Sequence, residues 1–219
     1  MKKVLILGAY GKIARIVEKR LLDNPDYQLT LVLRHANRLD SLKNYNNVTV
    51  IEGDVSNKDF LIKVIADQDV VYANLNGQME QWAQNIVFAM QQNSVTQLIW
   101  VTGSGLYHEV PDPFGSWVEN YVGHASKEDT RRAAKIIESS QLSYTIIRAA
   151  YMTDDTEVNY ELTKKGETFK GTMISRSSIA DFVIKIINDP ERYQRESFGI
   201  SKPGTDNMLH YIREIEHDL

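Results

Sequence analysis

The chain has 219 residues, 42% hydrophobic and 25% charged, with a net charge of −4 from 25 Lys+Arg against 29 Asp+Glu. That composition supplies a sizeable core and rules out a disordered chain, and the missing basic excess argues against a nucleic-acid-binding domain. There is no cysteine, which removes disulfides, thiolate catalysis and cysteine-held metal sites.

At ~150 residues per domain, this length suits one α/β domain. The start, MKKVLILGAYGK, has an apolar run that stops at Leu7. No small-residue cleavage site follows, and no stretch approaches the ~18 residues of a membrane span. The expectation is a cytoplasmic protein with no membrane partner. Val4 to Leu7 reads as a strand buried on both faces. Ile13, Ile16, Val17, Leu21 and Leu22 have helical spacing, and Asn24-Pro25 stops that helix. Further short β-rich runs are Leu29–Leu33, Val48–Ile51, Asp69–Ala73, Leu98–Val101 and Tyr144–Ile147. Helical stretches separate them near Lys58–Ala66, Gln78–Gln92 and Glu128–Ser139. Residues 106–124, with Pro111, Pro113 and several aromatics, read as a loop that could cover the site as a lid. Beyond them, Glu167–Ile174 reads as β, Ser177–Ile187 as helix, Ser197–Ile200 as a last strand and the tail from Asp206 as a last helix.

Strands alternating with helices predict a Rossmann-like, doubly wound parallel sheet in the order 3-2-1-4-5-6. One domain spans 1–219, with about 151–219 contributing a small C-terminal substrate lobe. In such folds ligands bind beyond the carboxyl ends of the strands, so those residues carry the function.

After the first strand comes GAYGKIA, residues 8–14. Gly8 allows the tight turn, Gly11 lets the backbone approach a pyrophosphate, and Ala14 permits close helix–strand packing. After the second strand comes Arg34, with Arg38 four residues on. An acid here would bind the 2′-hydroxyl of NAD, whereas arginines suit the 2′-phosphate of NADP; the alternative is two surface cations. Asp54 can accept from an adenine amino group, or cap the next helix. Asn74 and Gly77 follow the fourth strand, and Thr102 and Ser104 the fifth.

With VTGSGLY at 101–107 and YTIIRAAY at 144–151, these motifs resemble the atypical short-chain dehydrogenase/reductases of the NmrA-like NAD(P)H-binding group. The resemblance implies Gly8, Tyr10, Gly11, Lys12 and Ile13 around the pyrophosphate and Arg34 on the 2′-phosphate. It further implies Asp54 and Val55 at adenine, Asn74 and Gly77 along the ribose, and Arg148 near the nicotinamide. The family's Arg-Pro-Gly stretch reads Arg148-Ala149-Ala150 here. NADP(H) is the expected cofactor, in preference to NAD(H), and no metal is expected.

Active members of that group use a serine with a YxxxK pair, in which tyrosine protonates the developing alkoxide. Here Gly123 stands four residues before Lys127, and Tyr121 six before it. Ser104, Tyr107, Tyr121 and Lys127 are the remaining candidates, with His108 and His124 as possible substitutes. Two functions follow as expectations. One is a reductase of a small quinone-, flavin- or carbonyl-like substrate, for which the cofactor carries the chemistry. The other is an inactive NADP(H) sensor that signals to a regulatory protein partner.

Overall fold

The computed structural model describes residues 1–217, with side chains to Glu214. The described residues form ten strands and seven α-helices. The first half contains β1 (Lys2–Leu7), α1 (Lys12–Leu21), β2 (Tyr27–Leu33), a distorted 3-10 helix (Ala36–Asn44), β3 (Val48–Glu52), α2 (Lys58–Ile65), β4 (Val70–Ala73) and α3 (Met79–Gln92). The second contains β5 (Gln97–Gly103), α4 (Phe114–Val122), α5 (His124–Ser139), β6 (Ser143–Ala149), β7 (Tyr151–Thr153), β8 (Glu161–Lys164), β9 (Met173–Ser175), α6 (Arg176–Asn188), β10 (Glu196–Ser201) and α7 (Leu209–His217).

The main sheet runs β3-β2-β1-β4-β5-β6-β10-β8, parallel except for the β10–β8 pair at one edge. The expected order of the first six strands is observed, with β1 between β2 and β4. Side chains alternate across a strand, and β1 shows why it must be central. Val4 and Ile6 enter the core under α1 and α6, while Leu5 and Leu7 enter the one under α2, α3 and α5. A strand apolar on both faces is stable only between two helical layers.

Three expectations are corrected. Residues 106–124 are not all loop: α4 occupies their second half. Phe114, Trp117, Val118, Tyr121 and Val122 have amphipathic helical spacing, disguised by the prolines just before it. Next, Glu167–Ile174 is not one strand; β8 precedes it and only its end joins β9. Finally, the stretch after 150 is not wholly a lobe, because α6, β8 and β10 complete the main layers. What stands apart is the β7–β9 ribbon and a small cluster in which Phe114 and Val118 meet Met173, Leu209 and Ile212. The last helix extends past Glu214, where side chains lie outside the described residues. Among the described residues, no helix is long and apolar enough to cross a membrane.

Candidate functional site

The turn after β1 is built as its glycines require. Gly8 has φ +78°, a left-handed conformation that costs glycine nothing and other residues considerably. Its amide and that of Ala9 both donate to Val32 O, at 3.0 and 3.1 Å, tying the turn to β2. Gly11 begins α1 without a side-chain cap, so the first-turn amides have no intrahelical acceptor. Asn74, from the end of β4, closes over this turn. A β-carbon on Gly11 would overlap its Nδ2, and its Oδ1 accepts from the buried Tyr72 hydroxyl at 3.2 Å.

A cavity of ≈ 390 Å³ opens at these strand ends. It brings together Gly8, Tyr10, Gly11 and Asn74 on one side and Arg34, Arg38, Asp54 and Val55 on the other. Both arginines are exposed, and among the described residues neither has a carboxylate within ion-pair distance. The Arg38 guanidinium lies 5.1 Å from the centroid of the Tyr10 ring. Asp54 also accepts the Ser56 amide at 2.8 Å, while Asn57 caps α2 through the Phe60 amide. His35, Asn76 and Trp82 line the cavity too. His35 adjoins Arg34 and was within reach of the sequence pattern; Trp82 enters from α3 with no local signal.

The other cofactor candidates do not line this cavity. The Ile13 side chain is core. Lys12 pairs with Asp154. Gly77 packs against the Trp82 ring and lines a separate surface depression between α3 and α5. Thr102 is buried within β5. Arg148 is corrected outright: fully buried, it donates to Glu109 Oε1 at 2.6 Å, Ser197 Oγ at 3.1 Å and the carbonyls of Thr163 and Ser197 at 3.2 Å. Its role is structural, because its donors are committed to that knot.

The four candidate catalytic side chains do not converge. Tyr107 donates its hydroxyl to Glu138 at 2.6 Å, with Lys165 over its ring; burial, then that carboxylate, push its pKa up. Tyr121 is 56% exposed on α4 and stacks on Trp117 with centroids 4.6 Å apart. Ser104 and Lys127 do meet, but through the backbone: buried Lys127 donates Nζ to Ser104 O. Burial pulls the Lys127 ammonium down to about 8. Glu109, which carried no sequence signal, organises this loop. Its carboxylate accepts the amides of Gly105 and Tyr107, at 3.1 and 2.7 Å, as well as Arg148.

A glycine turn under a helix start, at the centre of a parallel sheet, defines a Rossmann-type dinucleotide-binding protein. The model of the NAD(P)H-binding family matches residues 8–190, and the chain belongs to that family. It is 40% identical to a Rossmann-fold NAD(P)-binding family protein of Shigella flexneri, with 94% of this chain and 96% of that one covered and a TM-score of 0.81. A short-chain dehydrogenase/reductase of Veillonella parvula, solved in complex with NADP, is 29% identical over the same shares, with a TM-score of 0.87. An isoflavone reductase homolog of Nicotiana tabacum is 26% identical over 213 residues, covering 86% of this chain. The chain spans 64% of that curated relative's length.

Proposed function

We propose that the protein is a cytoplasmic NADP(H)-binding oxidoreductase of the atypical short-chain dehydrogenase type, reducing a small quinone-, flavin- or carbonyl-like substrate. One observation carries the cofactor preference: Arg34 and Arg38 stand exposed at the cavity rim with no carboxylate partner among the described residues. A 2′-phosphate is the anion that such a pair suits. The NADP complex of the Veillonella relative supports the same reading. The place of the cavity at the Gly8–Gly11 turn supports a dinucleotide, because the first amides of α1 have no intrahelical acceptor and a phosphate can supply one.

When bound, the cofactor supplies a hydride. The chain's residues would then orient the partners rather than donate a proton. Tyr107 is committed to Glu138, and Lys127 to a carbonyl. Quinones and flavins need little acid catalysis, so within the proposed class they are the favoured acceptors. NADPH oxidation measured against quinones, flavins and aldehydes tests this; turnover with the first two is expected. Binding of NADPH with no turnover on any acceptor would favour the second reading, an NADP(H) sensor with a regulatory partner. The unassembled catalytic set supports that alternative.

A further inference from the structure

A carboxylate belonging to the chain itself stands at the start of α1. Asp154, the first residue beyond β7, places Oδ2 2.7 Å from Lys12 Nζ and Oδ1 2.6 Å from Arg176 Nη1. Lys12 opens α1 and Arg176 opens α6. One anion therefore bridges two helix N-termini, each of which carries partial positive charge. The hydrogen bond from Lys12, aided by Arg176, holds the Asp154 carboxyl below the usual range.

The strap that follows, residues 154–159, is fastened by polar contacts. Ser175 Oγ donates to Glu157 O at 2.6 Å, Ser178 Oγ accepts the Asn159 amide at 3.0 Å, and Lys202 pairs with Glu157 at 2.5 Å. Its one aliphatic residue, Val158, is 48% exposed, so lifting the strap's start tears no core. The side chains of Lys12 and Asp154 are 67% and 63% exposed, and an incoming anion can reach them.

A dinucleotide at the glycine turn brings its diphosphate to the same helix start. Diphosphate and carboxylate would compete for the same cations. We propose that Lys12 and Arg176 together form the cationic seat of the cofactor's diphosphate, and that Asp154 fills this seat as an internal substitute which the cofactor displaces, freeing the strap. The inference rests on the dinucleotide reading given above. It adds Arg176 to the cofactor-binding residues and makes the strap a reporter of occupancy.

NADPH titration, followed by cofactor fluorescence, tests it on the unmodified protein, Asp154→Asn, Lys12→Gln, Arg176→Gln and the Asp154→Asn/Lys12→Gln double variant. Asp154→Asn is expected to tighten binding about fivefold, near the upper limit for one solvent-exposed ion pair. Lys12→Gln and Arg176→Gln each weaken it by about as much. In the double variant, the gain from Asp154→Asn shrinks to the part owed to Arg176, which still pairs with Asp154. Unchanged or weaker binding by Asp154→Asn overturns the proposal. So does an equal gain with Lys12 removed, which would mark a bulk charge effect. If the unmodified protein does not bind NADPH at all, the dinucleotide reading itself fails. Hydrogen exchange gives a second readout: the amides of 154–159 exchange faster with NADPH bound, and unchanged or slower exchange overturns the displacement.

Discussion

Asn74 and Gly11 are in such close contact that residue 11 has no room for a side chain, quite apart from any ligand. Tyr72, beneath, fixes the amide through its hydroxyl. Gly11→Ala is therefore expected to push Asn74 aside and cost about 1–3 kcal/mol, as overpacking does. The double variant Gly11→Ala/Asn74→Ala should recover much of that stability in urea melts while still binding NADPH poorly, since the new methyl crowds the diphosphate. A Gly11→Ala protein as stable and as tight-binding as the parent would show that the turn has slack.

The cofactor preference has a signed test. A charge-assisted arginine–phosphate contact contributes about 1.5–3 kcal/mol, roughly a ten- to hundredfold preference for NADPH over NADH. Arg34→Asp is expected to reverse that order, removing the attraction and offering an acceptor for a 2′-hydroxyl. Arg38→Ala should weaken NADPH more mildly, and also strip the cation from over Tyr10. Equal affinity of the unmodified protein for both cofactors, by calorimetry, would remove Arg34 from the site.

Glu18 gives a pH dependence of stability. It faces inward from α1, fully buried, with Oε1 unpartnered and Oε2 2.6 Å from Arg15 Nη1. Burial outweighs Arg15 and raises its pKa from 4.5 to about 8. Between those values the unfolded chain releases a proton that the native protein keeps, so stability falls as pH rises through that window, then levels off. Glu18→Gln mimics the neutral acid. It should flatten this slope and be more stable than the parent at pH 8, by a few kcal/mol at about 1.4 per pKa unit. Melting temperatures from pH 5 to 9 check both; parallel curves for the two proteins would contradict the assignment.

The Glu109–Arg148 pair, 5% and 0% exposed, should show the opposite trend. Burial raises the Glu109 carboxyl, but Arg148 and the Tyr107 amide outweigh it and leave the pKa below 4.5. Its contribution is fully present above 4.5 and is lost as pH falls through the native value. Glu109→Gln leaves a buried guanidinium unpaired, an expected loss of about 3–5 kcal/mol. Arg148→Met in the same background should restore part of it. Chemical denaturation of the two variants measures the difference, and a loss under 1 kcal/mol would mean water has replaced the carboxylate.

Features fixed by local chemistry were legible from residues alone. Gly8 and Arg34 directly follow β1 and β2, where the turn's left-handed φ is decided at Gly8, and the β1 pattern dictated a two-sided core. Helix α4 carried its signal at 114, 117, 118, 121 and 122, but Pro111 and Pro113 masked it. Arg148 looked like a ligand contact because nothing near it in sequence announces Glu109, 39 residues away. Asp154 lies 142 residues from Lys12. Such pairings depend on how layers stack, which no periodicity encodes.

The three tryptophans fall into three different environments. Trp82 lines the cavity and donates Nε1 to Ser56 Oγ at 2.9 Å. Trp100 is sealed inside β5 at 1% exposure, and Trp117 sits in the aromatic stack of α4 against Tyr151. The protein thus carries its own optical labels: one at the cavity, one inert reference in the sheet and one on the small lobe. With Trp117→Phe or Trp82→Phe, emission from the remaining tryptophans would let events at the cavity and at α4 be timed separately, with no attached dye.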